Sequence, residues 1–363
     1  MDQQLSSQET APSPPKPIPK RRKQRKWEKL LIWTQVRGVG PGFKNLGNTC
    51  FINSSLQCLI YTPPIQNFHH VCSQDFCTLA ALQRLAEAPP GVAVPEEIVG
   101  RMKFFGRQFR RGQQEDAHEF IRCLMDKIHE REFVTTTFGG ILRSLVKCLH
   151  CNSHSKTFDK FLDLSLELTS NDVLACLRRF CSEETLSESE FYHCGKCGTR
   201  VPSTKQLSIK RAPLILTLHL KRFSNDGKKD NREMTYPAEI QLPVVGVTGL
   251  AVQTPYQLYA VLVHDGYASR SGHYFAYILT ADSHWYEVND ARTEERSAEQ
   301  AMAQGGVYIL FYKKACVSVE TDVFAQLLAE DQRSLRVNPV SGRPGSWRVD
   351  VDLEARVLFS RTS

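Results

Sequence analysis

A chain of 363 residues with 41% hydrophobic content can bury a large core and exceeds the usual size of a single domain, which fits one extended domain with sub-lobes and tails. No apolar run reaches transmembrane length and no signal-peptide pattern is present, so a membrane span and a disulfide-built secreted scaffold are set aside. The expectation is a soluble, intracellular monomer whose twelve cysteines stay reduced. The formal net charge of +7 is uneven, because residues 1–29 hold eight Lys or Arg against Asp2, Glu9 and Glu28, a local +5.

Residues 1–38 read as a disordered arm, Pro-, Ser- and Gln-rich and then strongly basic from Lys20 to Lys26. Such a run is a nuclear-import signal, a weak nonspecific contact with nucleic acid, or a solubilising arm. Nuclear or cytoplasmic residence is expected, the nucleus on the strength of Lys20–Lys26. Next comes Asn45-Leu-Gly-Asn-Thr-Cys-Phe-Ile-Asn53, followed by apolar residues at helical spacing (Ile52, Leu56, Leu59, Ile60). Asn48 or Thr49 can cap that helix, which puts Cys50 in its first turn, where unsatisfied amides favour a thiolate over a thiol. A cysteine before an apolar helix is also an ordinary small core residue. Helix dominates to about Arg131, with a buried stripe of Ala117, Phe120, Ile121, Leu124 and Ile128 after the word Gly112-Gln-Gln-Glu-Asp-Ala-His-Glu-Phe-Ile121.

From about Phe138 to Tyr312 strands dominate. Ile141–Lys147 leads into Cys148-Leu-His-Cys151, and Phe191–His193 into Cys194-Gly-Lys-Cys197, with 42 residues between the two pairs. The two-residue spacer lets both thiolates of a knuckle reach one ion at about 2.3 Å, so the four cysteines predict one structural zinc. A redox pair or a disulfide are the competing readings. Thr157–Leu168 alternates, Asp172–Cys181 reads as a helix, and Leu214–Phe223 as a buried strand. Asn225–Glu233 and Gly246–Thr254 read as loops. Tyr256–His264, His273–Thr280, Trp285–Val288 and Val307–Tyr312 are compact apolar runs. His273 lies 223 residues after Cys50 in Gly272-His273-Tyr274, and Trp285-Tyr-Glu-Val-Asn289-Asp290 follows. Cys, His and Asn or Asp in that order are the parts of a papain-like triad. Beyond Val317 the sequence offers a short helix over Asp322–Glu330 and a linker over Asn338–Ser346.

Together these words resemble the ubiquitin-specific protease family of deubiquitinating enzymes. Residues 42–53 match its cysteine box except that Phe43 stands for leucine; Gly272–Tyr274 with 285–290 match its histidine box, and 112–121 its intervening block. The resemblance implies an α+β, papain-like cysteine protease fold with helical thumb, β-rich palm and zinc-ribbon fingers. It places the catalytic domain at 39–315, the fingers at roughly 138–223, and a tail of unknown role at 316–363. It implies that Cys50 is the nucleophile, His273 the base and then acid, and Asn289 the orienting group, with Asp290 supporting that role. Asn45 would donate to the oxyanion. Asp116 and Glu119 would pair with the arginines of ubiquitin's Leu-Arg-Leu-Arg-Gly-Gly tail, their plain alternative being a solvated first turn. Gly272 and Tyr274 would border a channel for Gly-Gly, where backbone approaches backbone. The implied reaction is hydrolysis, through a Cys50 thioester, of the bond at ubiquitin's terminal glycine on conjugated proteins or chains. The alternatives are a ubiquitin-binding scaffold with low turnover and a protease for another ubiquitin-like modifier.

Overall fold

The structure, a computed structural model, describes residues 27–315 except Val71, 225–226, 247–248 and 269–270, and also residues 335–339 and 347–351. The chain divides into a unit over Met1–Ala315 and a second over Cys316–Ser363. The basic run Lys20–Lys26 and the expected helix Asp322–Glu330 lie outside the described residues.

The helical half contains α1 (Cys50–Ile60), α2 (Thr78–Glu87), α3 (Ala117–Asp126) and α4 (Arg131–Thr137), with short helical turns between them. An apolar stripe on α1 predicts one buried face, yet all of its residues are buried, Asn53, Ser54, Ser55 and Gln57 included. Helix α1 is therefore the axle of the domain, packed on α2, α3 and the strands of the other half. Its polar side is accommodated by hydrogen bonds: Ser54 and Ser55 return to the carbonyls of Cys50 (2.8 Å) and Phe51 (2.6 Å), and Gln57 donates to that of Pro41 (2.8 Å). Its apolar side meets the aromatic group of Phe51, Phe109 and Phe120, whose ring centroids lie 5.5–6.0 Å apart. Each such fully buried side chain contributes about 1.5–3 kcal/mol. The stripe on α3 is buried as its period predicts, and Asp116 caps the helix by accepting from the Glu119 amide at 2.9 Å.

The other half is built on β1 (Gly140–Cys148), β2 (His154–Phe161), β3 (Leu164–Leu166), β4 (Tyr192–Cys194), β5 (Thr199–Val201), β6 (Ser203–Arg211), β7 (Ile215–Leu220), β8 (Glu239–Val245), β9 (Ala251–Ala268), β10 (Ser271–Leu279), β11 (Trp285–Asn289), β12 (Arg292–Arg296) and β13 (Val307–Lys314). A 12-stranded sheet runs β12-β11-β10-β9-β8-β6-β1-β2, with β13 joining β9 to β7. The alternating run from Thr157 is broken between Phe161 and Leu164: β2 pairs with β1, whereas β3 pairs in parallel with β7. The loop expected over Gly246–Thr254 is shorter, because Ala251–Thr254 already pair with β8. Strands β6 and β8 escape a reading based on apolar runs, since Lys205, Lys210 and Glu239 break their alternation. Helix α5 (Val173–Phe180) forms as expected, its N-terminal amides at Leu174 and Ala175 held by Asp172 at 3.1 and 3.0 Å.

In the second unit, Leu335–Pro339 pairs antiparallel with Trp347–Val351. The expected linker over Asn338–Ser346 thus begins inside a strand, and residues 340–346 lie outside the described residues.

Candidate active site

The turn before Cys50 is set by two left-handed residues, Gly47 at φ 97° and Asn48 at φ 54°. Neither candidate cap serves α1. The Asn48 amide reaches away to the Gly112 carbonyl at 2.7 Å, and the Thr49 hydroxyl accepts from the Leu46 amide at 2.9 Å. The helix start is open as a result, with Cys50 its first residue and only 1% exposed.

Helix α1 packs against β10 and so brings Cys50 to His273. The Nε2 of His273 is 2.7 Å from Oδ1 of Asn289 on the neighbouring β11, which makes Nε2–H the donor and leaves Nδ1 as the nitrogen that turns to sulfur. The hydrogen bond with Cys50 is the main force pushing the His273 imidazole up to about 9; the Asn289 bond and the negative charge of Asp290 add to it, and burial opposes it.

Asp290 acts on the imidazole through its charge, while its hydrogen bonds go elsewhere. Left-handed at φ 49°, it turns its carboxylate to two other amides: Oδ2 accepts from Asn45 Nδ2 at 2.9 Å and Oδ1 from Asn53 Nδ2 at 2.7 Å. Its carbonyl accepts from the Phe43 amide at 2.6 Å, which ties the end of β11 to the segment before Cys50. Asn45 is fixed at its other end as well, since Oδ1 accepts from the amides of Gly47 at 3.0 Å and Thr49 at 3.2 Å. Its orientation is settled by those donors, which leaves Nδ2 as the donor to Asp290.

Gly272 is a glycine for a local reason. At φ 149° in the β9–β10 hairpin, an added Cβ would lie 2.5 Å from the Asp265 carbonyl oxygen and 2.6 Å from His264 Nε2, so hairpin packing already forbids a side chain without any substrate channel. Both its polar groups are held by one side chain, Gln114, whose Nε2 donates to the Gly272 carbonyl (2.8 Å) and whose Oε1 accepts from its amide (3.0 Å). This clamp from the segment before α3 to the residue before His273 was not foreseen; its signal was a second glutamine in the word 112–121. Tyr274 is 2% exposed and packs beside His264 and Tyr308, so its side chain is core.

Asp116 and Glu119 line a groove of about 790 Å³ shared with Glu115, Glu167 and Asp230. Asp116 is largely committed, capping α3 with Oδ1 and accepting from the Tyr308 hydroxyl at 2.5 Å with Oδ2. Glu119 is the more available acid, its Oε1 accepting from Gln108 Nε2 at 2.8 Å. Arg222, from the strand word read as plain core, is 1% exposed and donates to the carbonyls of Val307, Asp230, Arg232 and Gly305 at 2.5–2.9 Å, which fixes one wall of this region.

The two Cys-x-x-Cys pairs meet. Cys148–Cys151 lies in the β1–β2 turn and Cys194–Cys197 in the β4–β5 turn, closed by left-handed Asn152 (φ 54°) and Gly198 (φ 70°). All four Sγ atoms lie within 4.8 Å of one another, with Cys148 to Cys197 at 3.9 Å and Cys151 to Cys194 at 3.6 Å. Four sulfurs at such separations can hold a metal ion.

The sequence profile of the ubiquitin carboxyl-terminal hydrolase family matches residues 41–312. Ubiquitin carboxyl-terminal hydrolase 42 of Homo sapiens is 37% identical over 314 residues, which cover 78% of this chain and 24% of that protein. Ubiquitin carboxyl-terminal hydrolase 23 of Arabidopsis thaliana is 36% identical over 315 residues, covering 78% of this chain and 36% of its own length. The chain therefore spans about a quarter to a third of these relatives. Among solved structures, the SAGA Ubp8/Sgf11/Sus1/Sgf73 DUB module bound to ubiquitin aldehyde is similar, with a TM-score of 0.66 and 27% identity over 77% of this chain and 70% of that one. With three quarters of its length under that profile, and the cysteine, histidine and asparagine side chains assembled in one cleft, this chain belongs to the ubiquitin carboxyl-terminal hydrolase family.

Proposed function

We propose that this chain is a thiol-dependent deubiquitinase that hydrolyses the isopeptide or peptide bond at ubiquitin's terminal glycine. The observation that carries the reading is the Cys50–His273–Asn289 line, with sulfur on one side of the imidazole and an amide oxygen 2.7 Å from the other. The Cys50 thiolate attacks the glycine carbonyl carbon, and the negative charge passes to the carbonyl oxygen, where the Asn45 amide and the Cys50 backbone N–H stabilise it. The His273 imidazolium gives its proton to the leaving amine as the C–N bond breaks, which leaves a thioester. Water then attacks; His273 takes its proton and returns it to sulfur, and ubiquitin leaves with a free carboxylate. In this scheme Asp290 positions Asn45 and Asn53 and leaves the imidazole to Asn289.

The acidic groove supports recognition of the two arginines of the ubiquitin tail, with Glu119 as the main partner and Asp116 shaping the wall. The cysteine quartet fits zinc by donor type and spacing, and Cys148, Cys151, Cys194 and Cys197 would hold the fingers, which we place at roughly 138–223, in shape. Among the described residues no helix is long and apolar enough to cross a membrane. Nuclear residence directed by Lys20–Lys26 belongs to the same proposal; an unchanged distribution of tagged protein after those charges are neutralised would remove it. The activity is tested with isopeptide-linked di-ubiquitin. Release of mono-ubiquitin by the wild type and none by Cys50→Ala is expected, and equal release by both would overturn the mechanism.

A further inference from the structure

The sign of the charge reverses within one stretch of the helical half. Residues 101–111 carry Arg101, Lys103, Arg107, Arg110 and Arg111 and no acid, whereas Glu115, Asp116 and Glu119 follow at once. A basic run is ordinarily a solvated, mobile face. This one is rigidly mounted. Met102, Phe105 and Phe109 are 4%, 3% and 0% exposed, and the rings of Phe105 and Phe109 lie 5.8 and 5.5 Å from that of Phe120 on α3. Turn bonds close the backbone around the two central arginines: the Phe109 amide donates to the Gly106 carbonyl at 3.1 Å, and the Gln113 amide to that of Arg110 at 3.2 Å. Between them Gln108 turns to Glu119 of the acidic groove, while Arg107 and Arg110 stay exposed beside it.

Two of the flanking cations are already engaged, since Arg111 pairs with Glu96 and Arg101 sits 4.8 Å over the Phe76 ring. Among the described residues Arg107 and Arg110 make no ion pair. The segment is also fastened to the loop before the nucleophile. The Gly112 amide donates to the Gly47 carbonyl at 3.3 Å, and Asn48 Nδ2 donates to the Gly112 carbonyl at 2.7 Å, two residues short of Cys50. A cleft that cleaves conjugates has two occupants, the ubiquitin tail and the protein whose lysine amine leaves. The tail is basic and suits the acids of the groove. Fixed guanidinium groups repel it and attract carboxylates, to which they bond in bidentate fashion. A nucleic-acid strand carries its charge continuously and would run into Glu115, Asp116 and Glu119, whereas a short acidic peptide segment would not.

We infer that Arg107 and Arg110 form a docking surface for acidic residues flanking the modified lysine of the substrate protein, so that acid-flanked sites are cleaved in preference. The inference rests on the deubiquitinase reading. Its test uses the full chain and ubiquitin joined to the lysine of synthetic peptides flanked by Glu, by Gln or by Lys. Ubiquitin aminomethylcoumarin, which has no flanking chain, serves as the reference. The wild type is expected to show a kcat/KM about fivefold higher on the Glu-flanked than on the Gln-flanked conjugate at low salt, with the ratio falling toward one as salt is raised. Arg107→Gln/Arg110→Gln is expected to bring the ratio to about one with coumarin release unchanged, and Arg107→Glu/Arg110→Glu to shift preference to the Lys-flanked conjugate. Because each ratio is taken within one protein, it can be read even where a variant is partly misfolded. Equal wild-type rates on Glu- and Gln-flanked conjugates, or a preference that survives in the Gln variant, would overturn the inference. So would a single-stranded oligonucleotide that binds the wild type and not the Gln variant while the peptide preference stays the same. Absence of all hydrolysis, coumarin release included, would instead sink the deubiquitinase reading and this inference with it.

Discussion

The cleft and the tip of the fingers both depend on cysteine, and they are built in opposite ways. At the tip, each ligand pair sits in one tight turn, and only one association, β1–β2 with β4–β5, completes the quartet. In the cleft no two working groups share a turn except Asn289 and Asp290: Cys50 comes from a helix start, His273 and Asn289 from adjacent strands, and Asn45 from the loop before the helix. A local motif specifies its own geometry, whereas a tertiary site needs extra ties, here the Gln114 clamp and the Asp290 bridge. With the proposed zinc bound, the fingers should fail through loss of that one ion, and the cleft by degrees as its ties are cut.

The largest expected effect is at the nucleophile. Cys50→Ala should lower turnover by on the order of 10⁴-fold or more while ubiquitin binding survives, measured by di-ubiquitin cleavage and by titration calorimetry. Next is the oxyanion donor. Asn45→Ala should cost about 10²–10³ in kcat with little change in KM. Asp290→Ala should give a smaller loss of the same kind, since Asn45 keeps its bonds from Gly47 and Thr49. A loss appearing wholly in KM would show that Asp290 serves binding. In contrast, Cys148→Ser should release zinc and lower the melting temperature, with its effect on kcat following from unfolding of the fingers.

Gln114→Ala removes two hydrogen bonds between the halves, each worth about 0.5–1.5 kcal/mol. A fall in kcat with only modest loss of stability is expected; an unchanged kcat would mean that the clamp does not position His273.

The smallest effect concerns pH. Because the His273 pKa is raised to about 9 in the folded protein, its stabilising contribution is fully present below the unfolded value of about 6.5 and is lost as pH rises through about 9. Activity that needs the imidazolium should fall over the same upper range. Cys50→Ala removes the main cause of the shift, so the His273 titration followed by NMR should move back toward the ordinary histidine range. An unmoved titration would sever the Cys50–His273 link.

This contrast also explains what the sequence revealed. Cys148, Cys151, Cys194 and Cys197 were legible from spacing, because a two-residue turn is local physics. The stripe on α3 and the strands around His273 and Trp285 were legible from period. The burial of α1 on every side was not, since Asn53, Ser54, Ser55 and Gln57 read as a wet face until the sheet covers them. The target of Asp290 was hidden for a related reason. Adjacent residues on a strand point to opposite faces, and the left-handed turn at Asp290 sends its carboxylate to Asn45 and Asn53 while Asn289 keeps the imidazole. Gln114 carried no signal beyond its place in a motif, since a clamp on backbone atoms 158 residues away leaves no pattern in one sequence.

The central claim is that Cys50 is a ubiquitin-directed nucleophile assembled with His273 across the two halves. It is tested most directly by incubating the full chain with ubiquitin bearing a C-terminal electrophile and mapping the adduct by mass spectrometry. The account predicts one ubiquitin per chain, attached at Cys50, with capture slowed strongly by His273→Ala and abolished by Cys50→Ala. No adduct, or an adduct on another cysteine that persists in Cys50→Ala, would contradict it.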